Sequence, residues 1–103
     1  MMERRICLVV QFNWPQPLKA EHGQMAKTLH EVVQGQDWIE ELVAASGGVG
    51  GGPSSLWIFR LAGYQALERL FHDREDAVSQ AYMNFLRAME DVQDFVREEV
   101  VFT

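Results

Sequence analysis

The residues from Ser54 to Phe71 constrain this chain most. They begin as Leu56-Trp57-Ile58-Phe59, a short apolar and aromatic run that suits a pleated, half-buried surface better than a helix. The run breaks at Ala62-Gly63 and the period changes. Leu67, Leu70 and Phe71 then fall three and four apart, as on one face of a helix. A strand that turns this abruptly into a helix belongs in the middle of a sheet, with the helix folded back over one face.

The rest of the chain supplies partners for that sheet. Between Arg5 and Asn13, Ile6, Leu8, Val10 and Phe12 point one way and Cys7, Val9, Gln11 and Asn13 the other. The first set is wholly apolar and the second turns polar at its end, as in a central strand with helices on one face and a cavity on the other. Trp14-Pro15-Gln16-Pro17 ends the strand, because proline removes a ladder donor. Pro17 opens a helix. Leu18, His22, Met25, Leu29 and Val32, widened by Ala26 and Val33, make its apolar stripe, and Gly35 stops it. Asp37 to Ala45 is ambiguous in period. It is read as a strand because it is short and leads into a glycine-rich turn, although a short helix fits the same residues. Ser46 to Ser55 is a flexible hairpin loop; it lacks both the Lys-Ser/Thr of a phosphate loop and a GxGxxG spacing.

After His72, Asp73 is placed to cap a fresh helix, with Asp76 favouring its first turn. Val78, Ala81, Tyr82, Phe85, Leu86 and Met89 form that helix's apolar face. Acidic residues 90–94 read as a solvated helix end before a last strand, Phe95 to Phe102, in which Val96, Val100 and Phe102 share a face.

At 103 residues and 48% apolar, this is one globular domain, residues 1–103. Nine Lys and Arg stand against fifteen Asp and Glu, a net charge of -6, and the bases are scattered. Such a chain repels a phosphate backbone, so no nucleic-acid partner is expected. No apolar run is long enough to span a bilayer, so no membrane partner is expected. A lone Cys7 makes no internal disulfide, and the expected compartment is a reducing cytoplasm.

The order of elements is βαββαβ. The expected fold class is α+β, ferredoxin-like, with a four-stranded antiparallel sheet and helices on one face. The other face is left bare, and should carry several of Cys7, Val9, Trp57, Phe59 and Leu61. An apolar bare face implies a partner, first of all a second copy related by a two-fold axis.

Val10-Gln-Phe-Asn-Trp-Pro15, Asp37-Trp-Ile39, and Leu56-Trp-Ile-Phe59 running into Tyr64-Gln-Ala-Leu67 resemble the dimeric α+β barrel superfamily, and within it the YdhR-like mono-oxygenase family. The resemblance spans most of the chain, with a longer glycine-rich loop and a longer, more acidic second helical segment here. It implies a homodimer closed over the bare sheet face and a cofactor-independent mono-oxygenase acting on a small aromatic or polyketide-like compound. Such enzymes need an apolar pocket to desolvate the substrate anion, and polar groups that hold it.

On that basis Asn13, His72 and Tyr64 are the catalytic candidates, and Gln11, Trp38, Trp57 and Phe59 the substrate-binding ones. Asn13 and Gln11 offer amides, Trp57 and Phe59 stacking walls, Trp38 a cavity rim, and Tyr64 a hydroxyl at the pocket mouth. His72 beside Asp73 is the general-base candidate. Taken singly, each has a commoner competitor: aromatics as core, amides bonded to backbone, a surface histidine in a charged turn. His22 reads as semi-buried and His30 as solvent-facing. No HxxxH, HExxH or Cys/His cluster suggests a metal. The axial histidine of haem-degrading relatives is missing from the second helix, and no nucleophile elbow is present. Two other functions fit the same fold: a small-ligand-binding protein without turnover, and a domain whose bare face takes a different protein.

Overall fold

The computed structural model describes residues 4–102. Along the chain run β1 (Ile6–Asn13), α1 (Ala20–Val33), β2 (Ile39–Ser46), β3 (Ser55–Leu61), α2 (Tyr64–His72), α3 (Ala77–Ala88) and β4 (Glu90–Glu98). The four strands form one antiparallel sheet in the order β2-β3-β1-β4. The expected ferredoxin-like class is therefore observed, and β3 lies inside the sheet as its abrupt passage into α2 requires.

Register assigns the two faces. Ile6, Leu8 and Val10 pair with Leu61, Phe59 and Trp57, and all six are buried on the helix side. Trp57, Phe59 and Leu61 thus belong to the covered face, a correction to their expected place on the bare one. Strand alternation had two possible phases in β3, and pairing with β1 selects the one that sends the aromatics inward. The bare face carries Cys7 and Val9 as expected, together with Leu56, Ile58 and Arg60.

The ambiguous period of β2 has a physical cause. Ile39 pairs with Leu61 but Glu41 with Arg60, so Glu40 is an extra residue in a bulge. Ile39 and Leu42 both turn toward the helices despite their odd spacing. A second irregularity lies between β1 and β4, where Gln11 pairs with Gln93 but Asn13 with Glu90. Asp91 sits there at φ 55, a left-handed conformation that Asp tolerates better than most residues.

Helix α1 starts at Ala20 rather than at Pro17. His22 Nδ1 accepts from the backbone N–H of Lys19 at 3.0 Å, and Leu18 lies outside the helix, 58% exposed. The cap of α3 is Asp76, not Asp73: its Oδ1 accepts from Val78 N–H at 2.8 Å. Asp73 instead accepts from Glu75 N–H within the preceding turn. The last strand begins at Glu90 and ends at Glu98, five residues earlier at its start than the apolar spacing suggested, so Val100 and Phe102 fall beyond it. At the sheet edge, β4 has little burial to enforce alternation and tolerates its acidic residues in solvent.

Candidate functional site

Between the sheet and the helices the space is filled with rings. Phe85 packs 5.2 Å from Phe12, 5.0 Å from Trp57 and 5.7 Å from Trp14, centroid to centroid. Tyr82 meets Phe59 edge-on at 5.5 Å. Among these side chains no water-sized space remains. The cavity expected beside Trp57 is therefore closed, and Trp57 and Phe59 are core side chains at 6% and 1% exposure.

The polar candidates are dispersed. Asn13 is a brace at one end of the sheet: its Nδ2 donates to Asp91 Oδ2 at 3.0 Å, and its Oδ1 accepts from Ser54 N–H at 2.9 Å. It ties β1 to the end of the glycine-rich loop and to the irregular start of β4. Tyr64 is at the opposite end, donating to Glu98 at 3.1 Å from the first turn of α2. Desolvation, then the bond to Glu98, raises its pKa. Trp38 is held below α2, with the Arg69 guanidinium 4.3 Å from its ring centroid and its Nε1 donating to Gln36. Gln11 lies on the bare face, cross-strand from Leu56 and Gln93. His22 is half-buried and His30 exposed.

His72, at the end of α2, is the candidate that does border an opening. The groove beside it, about 390 Å³ in volume, runs between α3 and β4. Phe71, Met83, Leu86 and Val92 give it apolar walls; Arg87 and Asp94 give it charge; Tyr82 lies at its floor. That volume is in the range of small-molecule sites. His72 itself is largely exposed, with Glu68 3.9 Å from its Nε2.

Tyr82 is the feature that distinguishes this groove. Its side chain is 2% exposed, clamped between Phe59 and a stacked Phe71 at 5.9 Å, yet its hydroxyl has no hydrogen-bond partner. A buried hydroxyl left without a partner costs about 1–3 kcal/mol, so native proteins rarely leave one. Burial, with Asp94 adding a smaller push, drives its pKa well up, so the phenol is a neutral donor at ordinary pH. The sequence carried a signal for it: a tyrosine inside an otherwise apolar stripe brings a hydroxyl into the core and demands a partner.

A wider cleft of about 660 Å³ lies at the far end of the sheet, around Arg4, Arg5, Glu40 and Glu99. Its charges are already matched: Arg5 meets Glu40 at 2.9 Å, and Arg60 reaches both Glu40 and Glu99. One Glu99 oxygen, Oε2, is buried there without a partner. Among the described residues no group of His, Cys, Asp and Glu is arranged to hold a metal, and no helix is long and apolar enough to cross a membrane.

No family model matches the sequence, and no curated protein matches it either. Solved structures do match in shape. One is a dimeric ferredoxin-like protein of unknown function from Thermobifida fusca, 13% identical, with a TM-score of 0.70 over 94% of this chain and 92% of that one. A dabb family protein with a ferredoxin-like fold from Mesorhizobium loti is 11% identical, TM-score 0.71, over 96% of this chain and 100% of its own. Hydroxynitrile lyase from Passiflora edulis is 10% identical, TM-score 0.72, over 97% of each chain. The likeness is one of fold. It agrees with the superfamily the sequence motifs resemble, while the YdhR-like resemblance rests on those motifs alone.

Proposed function

We propose that this protein is a homodimer in which each subunit binds a small, largely aromatic molecule in the groove above Tyr82 and oxidises it without a resident cofactor. The observation that carries the reading is the buried, unpartnered Tyr82 hydroxyl at the floor of an apolar groove. A ligand oxygen that reaches this hydroxyl removes the cost of the unpartnered phenol, and that gain is specific to ligands bearing an acceptor.

The chemistry follows from the groups present. A substrate methylene conjugated through a ring with a ketone loses a proton to His72 at the groove wall, and Tyr82 donates to the ketone oxygen on which the charge settles. The anion then reduces dioxygen. One oxygen atom becomes the product carbonyl, and the other leaves as water with both hydrogens of the methylene. Apolar walls favour this by keeping bulk water from the anion.

The bare face supports the dimer. Val43, Ile58, Val9 and Phe95 form one apolar row across all four strands, with Glu41, Arg60 and Arg97 in the next row. An apolar centre with a charged margin is the anatomy of a protein interface. Two of the structural neighbours are described as dimeric.

Oxygen uptake with a panel of anthrones and quinols tests the enzyme. Uptake that needs substrate and falls at least about tenfold in Tyr82→Phe supports it. Binding without uptake supports the ligand-binding protein instead, a reading favoured by how exposed His72 is. A panel that neither binds nor reacts overturns both.

A further inference from the structure

The groove above Tyr82 does not end at Arg87. On its other side lies a second cleft of about 280 Å³, bordered by Arg74, Gln80 and Asn84. Phe71, Met83 and Arg87 border both openings, so the two clefts flank a single ridge on α3. Met83 and Arg87 are four apart and stack along that ridge.

What sets this cleft apart is that two cations without a carboxylate partner among the described residues border it together. In a chain of net charge -6, cations are normally taken up by neighbouring acids. Arg4, Arg5, Lys27, Arg60 and Arg69 each have a carboxylate within 4.0 Å. Among the described residues Lys19, Arg74, Arg87 and Arg97 have none, and of these Arg74 and Arg87 border the same cleft. Two exposed arginines bordering one cleft of an acidic protein suit an anion held in that cleft, and a planar fork is the donor suited to carboxylate or phosphate. At the opposite end, Tyr82 O–H has no protein acceptor, and Asp94, which borders the same groove, offers an acceptor to a ligand. A ligand hydroxyl satisfies both at once, accepting from Tyr82 and donating to Asp94. The Asp94 charge also turns an anionic group away from that end, which fixes the direction of binding.

We infer that the ligand is a hydroxylated aromatic acid: its hydroxyl lies between Tyr82 and Asp94, its ring over Met83 between Phe71 and Leu86, and its carboxylate between Arg74 and Arg87. This deepens the groove assignment made above and rests on it. It names an anionic group that groove alone does not require.

Calorimetric titration with para-hydroxyphenylpropanoate, para-hydroxyphenylpropanamide and phenylpropanoate separates the two ideas. The hydroxy acid should bind about tenfold or more tightly than either analogue, since each lacks one charge-assisted or buried hydrogen bond. In the double variant Arg74→Gln/Arg87→Gln the acid should weaken to the level of the amide, while the amide is unchanged. Both arginines are exposed, so this variant should keep its melting temperature. In Tyr82→Phe, the hydroxy acid should fall to the level of phenylpropanoate. Acid and amide binding equally, with no effect of the arginine changes, would overturn the anionic end and leave the groove standing. Failure of all three to bind would overturn the inference and the groove reading together.

Discussion

The two faces of the sheet share strands, residue lengths and hydrophobic character, yet they are used in opposite ways. On the covered face Ile6, Leu8, Val10, Phe12, Phe59 and Leu61 are all within 1% of complete burial, closed by the chain's own helices. On the bare face the equivalent central row keeps Val43 at 45% and Phe95 at 38% exposure. The Arg97 guanidinium lies 4.9 Å from the Phe95 ring centroid, partly shielding it. The covered face is thus complete within one subunit, whereas the bare face keeps apolar side chains open to solvent. The proposed functions divide along the same line, with the proposed ligand groove on the helix side and the proposed partner surface opposite.

Substitutions on adjacent β3 residues break the comparison most sharply. Phe59→Ala opens a cavity among Leu8, Tyr82 and Trp57, and should cost about 3–5 kcal/mol in a urea titration. Next door, Ile58→Glu places a carboxylate at the centre of the bare row. Brought face to face with its symmetry mate, it should weaken association by several kcal/mol and shift elution toward the monomer, with the far-ultraviolet circular dichroism retained. If Phe59→Ala were mild or Ile58→Glu left assembly untouched, the faces would be wrongly assigned.

The helix layer has its own hinge point in Asp76. Burial pushes its carboxyl up, but hydrogen bonds from Arg69 and from the Val78 and Ser79 backbone outweigh that and hold its pKa below the usual carboxylate value. Asp76 therefore adds stability that is full above the unfolded-state pKa and is lost as pH falls through the lower folded one. Asp76→Ala should cost about 1–2 kcal/mol near neutral pH, with the difference from wild type shrinking below about pH 4.

The smallest effect has the opposite sign. Among the described residues Tyr82 holds the one buried hydroxyl without a partner, so Tyr82→Phe should raise stability by about 1 kcal/mol while weakening hydroxylated ligands. A loss of stability instead would mean that the hydroxyl is satisfied and the groove has no vacancy to fill.

The sequence made the fold legible wherever burial imposed a period. In β1 and β3 every second side chain is buried; alternation locates β1, and an apolar aromatic run broken at Ala62-Gly63 locates β3. It could not give the phase of β3, because Leu56 and Ile58 are as apolar as Trp57 and Phe59; only pairing with β1 decides which set turns inward. The Glu40 bulge blurred β2 for a related reason, since one extra residue inverts the alternation after it. At the β4 edge the period carried almost no information, and Val100 and Phe102 drew the expected strand too far along the chain. The site was harder still. Asn13, Tyr64 and His72 each carry suitable chemistry in local context, but bringing them together depends on distances between elements that no local pattern records. Tyr82 was visible as part of a helical stripe, and only its surroundings reveal that its hydroxyl is alone.

The most direct test of the division between the two faces is the molar mass of the wild-type protein by light scattering after size exclusion. The protomer is 11.8 kDa. A second copy closing the bare row predicts a single species of about twice that mass, stable on dilution to low micromolar concentration. A species at the protomer mass throughout would leave Val43, Ile58, Val9 and Phe95 in water, and would contradict the claim that a second copy completes this sheet.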